Sequence, residues 1–191
     1  MNSAATLTLL CGVVALCTAA FNLVFHQMRR QEVAHFWLAV AAAGGVAPCS
    51  VFAAWLYHSA SPWDAALIRQ GQLLSCVVVA YGMARFSEAF LGRELGWIKT
   101  TLVGGVAALI PLSWLPGVGF TFEPVVRSVP PFDVEYIDTT VSSLHAAAAL
   151  VVVVGAAALY REYGRHGPKG SGRPALLTAG GWFAACAAFD T

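Results

Sequence analysis

Long apolar stretches broken by short polar ones make up the chain. A helix that crosses a bilayer needs about 20 mainly apolar residues. Stretches of that kind occur at residues 4–25, 34–57, 65–90, 97–115 and 139–160, and a sixth runs from 175 to Thr191. The pattern predicts an all-α, polytopic transmembrane helical bundle with six visible helices, residues 1–191 forming one transmembrane domain. The sixth stretch is still running at Thr191, where the sequence ends, so we expect a bundle cut within its sixth helix. Only the connection between the fourth and fifth helices is long. Its segments GFTFEPVVRSV and PFDVEYIDTTV are rich in β-branched and aromatic residues around Pro130 and Pro131. They predict a small extracytoplasmic β-hairpin over residues 117–138.

Small residues recur along the helices: Gly12, Gly44, Gly45, Gly82, Gly104, Gly105, Gly155, Gly180 and Gly181. In lipid, close backbone approach at such positions drives helix association, so a compact bundle is expected. Pro48 and Pro111 fall inside apolar runs and are expected to kink the second and fourth helices.

Composition strengthens the membrane reading. Of the 191 residues, 58% are hydrophobic and 11% charged, against about 25% charged in soluble domains. Mean hydropathy is +0.68. The net charge of +1 gives no electrostatic case for a nucleic-acid partner. Charge is instead segregated along the chain. Arg29, Arg30, Arg93, Lys99, Arg161, Arg165, Lys169 and Arg173 fall in the odd-numbered connections. The opposite side holds Arg127 with Asp64, Glu123, Asp133, Glu135 and Asp138. The positive-inside rule then places the N-terminus outside. The first basic pair follows the first apolar run, which suits a spanning helix and not a cleaved leader.

Polar residues inside the apolar stretches are the candidates for chemistry. The third helix carries Arg69, Gln70, Gln72, Arg85 and Glu88. Arg69 and Arg85 lie near opposite boundaries and can snorkel, and Arg85 can pair with Glu88 one turn on. Near the outer surface, Trp63, Asp64, Arg69, Gln72 and Tyr136 could line a ligand pocket, joined by Asp190 deep in the sixth helix. The plainer reading of Trp55, Tyr57, Trp63, Trp114 and Tyr136 is an interfacial aromatic belt. His26, His35 and His166 fall near the cytoplasmic face, as interfacial groups. His58 and His145 fall near the outer ends of the second and fifth helices, without metal-ligand spacing. Cys11, Cys17, Cys49, Cys76 and Cys186 all sit in apolar runs as small packing residues. No catalytic or nucleotide-binding motif occurs, and no metal or other cofactor is expected.

The order of features resembles the N-terminal seven-transmembrane sensor region of bacterial membrane histidine kinases and diguanylate cyclases. FNLVFHQMRR closes the first helix and AHFWLAVAAAGG opens the second. The third helix reads IRQGQLLSCVVVAYGMARFSEAFLG, and FEPVVRSVPPFDVEYIDTT resembles the family's long loop before helix five. AAFDT resembles an Asn-Asp pattern of the sixth helix, with Phe189 in place of the Asn. The resemblance implies a sensory input domain in the bacterial inner membrane. It would sense an external or membrane-dissolved small molecule or a membrane signal, and pass a conformational change to a cytoplasmic output module. Membrane lipid is one partner, and a homodimer formed through the output region another. The rival expectation is a small integral-membrane enzyme or transporter using Asp190, His58 and His145.

Overall fold

The computed structural model describes residues 3–29, 32–129, 134–140 and 142–166. Five helical rods and one hairpin follow one another. Helix α1 is Ser3–Met28. The second rod is α2 (Val33–Ala41), a π-helical turn (Ala42–Val46) and α3 (Ala47–Leu56). Helix α4 is Pro62–Leu91, α5 is Trp97–Leu112 and α6 is Ser142–His166. Strands β1 (Phe120–Val129) and β2 (Val134–Thr140) form an antiparallel pair between α5 and α6. The expected hairpin is therefore present. The sixth stretch, 175–191, lies outside the described residues.

Three rods, Ser3–Met28, Val33–Leu56 and Pro62–Leu91, are long and apolar enough to cross a membrane. Their outward faces support the same conclusion. Leu10, Val13, Val14, Leu16 and Phe21 of α1 are all more than half exposed. A surface that apolar is stable against hydrocarbon and not against water. Hydroxyls within the rods turn back onto their own backbone: Thr18 donates to the Val14 carbonyl at 2.8 Å, Ser75 to Gly71 at 2.9 Å and Ser87 to Met83 at 2.8 Å. Where no water is present, such bonds satisfy the groups locally. We conclude that this is a helical membrane protein.

Each proline acts locally. Pro48 follows the π-helical turn, where the backbone already departs from the α-helical ladder. The wider turn accommodates a ring that would clash with the carbonyl four residues back. Pro111 lies in the last turn of α5, which stops at Leu112 instead of continuing to 115. The carbonyl of Ile110 is taken up by Gln70 Nε2 of α4 at 3.1 Å. The fifth rod starts later than the sequence pattern suggests, because Thr139 and Thr140 belong to β2.

Helix α4 is central, packing against α2, α3, α5, α6 and both strands. Glycines set the closest approaches. A Cβ on Gly82 would lie 2.8 Å from Ala41 Cβ and 3.0 Å from its backbone, and one on Gly45 would run into the Val79 side chain. On the other side, Gly155 of α6 receives Leu102 of α5. Gly82→Val should therefore push α2 off α4 and destabilise the bundle by about 1–3 kcal/mol. Gly104, with nothing within 4 Å, serves as the control: Gly104→Val should leave detergent-micelle unfolding unchanged. Of the cysteines, Cys76 packs against the core as expected, Cys11 and Cys49 are half-buried and Cys17 is exposed, and Cys186 lies outside the described residues.

Candidate functional site at the hairpin end of the bundle

The start of α4 is fixed by its own sequence. Ser61 is extended and caps the helix, its Oγ accepting from the Asp64 amide at 3.1 Å. The same hydroxyl donates to Asp64 Oδ2 at 2.7 Å. Pro62 fits the first turn, where no N–H is needed. Asp64 is exposed and engaged in this cap. Arg69 follows five residues later, about 7.5 Å further along the axis at 1.5 Å per residue, and is 6% exposed.

Arg69 reaches the hairpin. Its Nε donates to Asp138 Oδ1 and its Nη2 to Asp138 Oδ2, each at 3.3 Å. Its Nη1 donates to Gln72 Oε1 at 3.0 Å. The pairing is the two-pronged guanidinium–carboxylate fork. Asp138 is fully buried and saturated with donors. Its Oδ1 also accepts from the Thr139 amide at 2.8 Å, the Thr140 amide at 3.2 Å and the Thr140 hydroxyl at 3.0 Å. Arg127 of β1 brings its Nε to 2.8 Å from Asp138 Oδ2 as an ion pair. Its Nη2 donates to the Thr140 carbonyl at 3.4 Å.

Burial alone would raise the Asp138 carboxyl. The Arg69 charge and the hydrogen bonds from Arg69 and Thr140 outweigh it and hold the group below the usual carboxylate range. A carboxylate so held is a fixed anion at neutral pH and a poor proton donor. Tyr136 stands beside it, edge-on to Tyr57 with ring centroids 5.4 Å apart. Burial pushes its phenol above the ordinary value, with Arg69 opposing. Ser59 adds one more tie to the hairpin, donating to the Ile137 carbonyl at 3.2 Å.

Of the residues expected to share a pocket, Arg69, Gln72 and Tyr136 meet here. Trp63 and Asp64 do not join them. Trp63 is 54% exposed and stacks on Phe122 at 5.7 Å, beside Trp114 at 5.6 Å. That cluster is an aromatic surface between the start of α4, the end of α5 and the hairpin. Asp190 and the side chain of His145 lie outside the described residues, and His58 is exposed. Asp138 and Arg127 were not singled out from the sequence. A deep arginine requires a carboxylate partner, and Asp138 ahead of two threonines is the acid best placed by local backbone bonds.

A second charged cluster occupies the opposite end of α4. Glu88 is 7% exposed. It accepts from Arg85 Nη1 at 2.8 Å and from the Leu95 amide at 3.1 Å, and pairs with Lys99 Nζ at 2.8 Å. Arg85 also lies over the Trp37 ring, 5.1 Å from its centroid. Arg93 pairs with Glu162 of α6 at 3.4 Å. The expected Arg85–Glu88 pair is thus present, within a larger network joining α4, α5 and α2. Among the described residues no group of three His, Cys, Asp or Glu could hold a metal ion.

The chain matches no protein-family model, no curated protein and no solved structure.

Proposed function

We propose that the chain is the membrane-embedded sensory input domain of a bacterial signal-transduction protein. It lies in the cytoplasmic membrane as a multi-pass bundle with its N-terminus and hairpin outside. An external or membrane-dissolved ligand acts at the hairpin end, and the shift travels to an output module on the cytoplasmic side. One observation carries this reading: α4 is a single 30-residue helix with a buried, ion-paired residue towards each end, Arg69 and Glu88. Arg69 ties one end to the hairpin, and Glu88 ties the other to the α4–α5 connection. A displacement of the hairpin thereby loads the same rod that positions the far-side loops. Switching of this kind needs two arrangements that a ligand can bind unequally. The basic connections support the stated orientation.

The test is a distance measurement at the far end. Spin labels go on Glu94→Cys and Arg165→Cys, both exposed positions, in a background lacking the native cysteines. Adding Asp138→Asn, which frees the hairpin tether, should shift the label–label distance distribution. A distribution identical to that of the parent, with the hairpin released, would overturn the coupling and with it the sensor reading.

A further inference from the structure

Helix α4 is longer than the hydrocarbon it crosses. Its 30 residues run about 45 Å at 1.5 Å per residue, against about 40–45 Å for a bilayer with its headgroup regions. Its final turns therefore stand at headgroup depth. A cavity of about 330 Å³ opens there, between the start of α2 and the end of α4. Sites for small molecules begin at roughly 300 Å³. Val33 and Trp37 of α2 and Ala89 of α4 give it apolar walls.

Arg85, Glu88, Arg93 and Glu94 supply its charge. Glu88 is already engaged. It accepts from Arg85 Nη1 and from the Leu95 amide, and it pairs with Lys99. Arg85 has donors to spare among its five N–H groups. Its Nε has no hydrogen-bond acceptor among the described residues, and its guanidinium is held over the Trp37 ring. Arg93 has a loose pair with Glu162 at 3.4 Å and keeps 45% of its side chain open. Glu94 is exposed, with no ion-pair partner among the described residues. The cavity thus offers unspent positive charge on Arg85 and Arg93 and, beside it, one free carboxylate.

We infer that this cavity is a phospholipid site selecting a headgroup with both a phosphodiester and a primary ammonium, the phosphate set against Arg85 and Arg93 and the ammonium against Glu94. Guanidinium groups suit phosphate because two parallel N–H···O bonds can form. Depth fits as well. Arg85 lies six residues before the end of α4, about 9 Å along the axis, near the boundary between headgroups and hydrocarbon. From there an exposed stripe continues along the same face of α4 into the hydrocarbon. Tyr81 is one turn from Arg85 and Leu74 lies two turns beyond it, 42% and 56% exposed, and Tyr81 meets Trp37 edge-on. That stripe gives acyl chains a path that a free headgroup would not use. Basic pockets between spanning helices are suited to lipid headgroups on the same grounds. The site is separate from the hairpin end and does not depend on the sensor reading.

The experiment uses the full chain in phospholipid-free maltoside micelles. It is titrated with phosphatidylethanolamine, phosphatidylglycerol or phosphatidylcholine, and bound lipid is counted by native mass spectrometry. One phosphatidylethanolamine per chain should be retained at concentrations where the other two are not. Phosphatidylglycerol lacks the ammonium, and the methylated ammonium of choline has no N–H to give Glu94. Arg93→Gln should weaken retention about tenfold, the effect of losing one charge-assisted contact. Glu94→Gln should still hold a lipid but lose the headgroup preference. Ala89→Trp, at an exposed position, fills the cavity and should abolish retention while circular dichroism stays as in the parent. Glycerophosphoethanolamine carries the headgroup without the tails and should not compete at equal concentration. Equal competition would overturn the assignment to a lipid. Phosphatidylglycerol held as strongly as phosphatidylethanolamine overturns the proposal, as does retention undiminished in both Arg93→Gln and Ala89→Trp. Should Ala89→Trp fail to fold, Glu94→Gln still decides, because it disturbs none of the contacts within the protein named above.

Discussion

Asp138→Asn is expected to destabilise the attachment of the hairpin by about 3–5 kcal/mol, the usual cost of removing one partner from a buried ion pair. The asparagine fills the same volume and still accepts from the Thr139 and Thr140 amides, so the loss isolates the charge. Arg69, with 8% of its side chain exposed, loses its ionic partner and the Nη2 bond to Oδ2, because the amide nitrogen that replaces this oxygen is a donor. Arg127 is a weaker tie. A third of its side chain is exposed, and pairs open to solvent are worth about 0–1 kcal/mol. Arg127→Ala should therefore cost far less than Asp138→Asn. Amide exchange across β1 and β2 provides the readout, with unfolding in micelles for the bundle as a whole. Exchange in Asp138→Asn as slow as in the parent would show that the fork does not hold the hairpin.

The same group sets an acid limit. The folded carboxyl lies below its ordinary value, so its contribution is complete above the unfolded value of about 3.9 and is lost as pH falls through the folded one. The hairpin should stay docked through the neutral range and release only below about pH 4. In Asp138→Asn, this part of the acid transition should be absent.

The bundle was legible because lipid imposes a length and a hydropathy on every spanning helix, and because the glycines at 45, 82 and 155 mark where rods touch. Element ends were less so. Thr139 and Thr140 continue an apolar run by composition, yet their amides turn onto the Asp138 carboxylate, a local bond that hydropathy does not register. Pro111 was visible, but not that Gln70 would satisfy a carbonyl beside it and let the helix end there. The site was half legible. Arg69 and Gln72 stand out as polar residues within an apolar helix, whereas Asp138 looks like one more acid of an exposed loop. Its partner is 69 residues away, and only the return of the hairpin onto α4 brings the two together. Trp63 and Asp64 misled by proximity in sequence: the helix cap takes the acid and the Phe122 face of the hairpin takes the ring. His35 meets Asn22, 13 positions earlier and on the preceding helix, a contact that spacing in sequence does not register.

Glu88→Gln is the second substitution expected to matter, at about 2–3 kcal/mol, below the ~3–5 kcal/mol of a wholly buried pair. The discount follows from exposure. Arg85 and Lys99 keep 37% and 28% of their side chains open, so both cations recover some hydration when the carboxylate goes. What they cannot recover is the tie to the Leu95 amide through a charged acceptor, which holds the connection between α4 and α5. Amide exchange should therefore accelerate at Leu95 and in the first turn of α5, with β1 and β2 unaffected. Glu94→Gln changes charge by the same amount at an exposed neighbouring position and should leave both stability and exchange as they were. If Glu88→Gln accelerated exchange in the hairpin to the same degree as Asp138→Asn, the two ends of α4 would be one cooperative unit that melts together. Exchange confined to the Leu95 side would mean that the Glu88 tie holds the α4–α5 connection locally and that its loss opens that end without unfolding the hairpin.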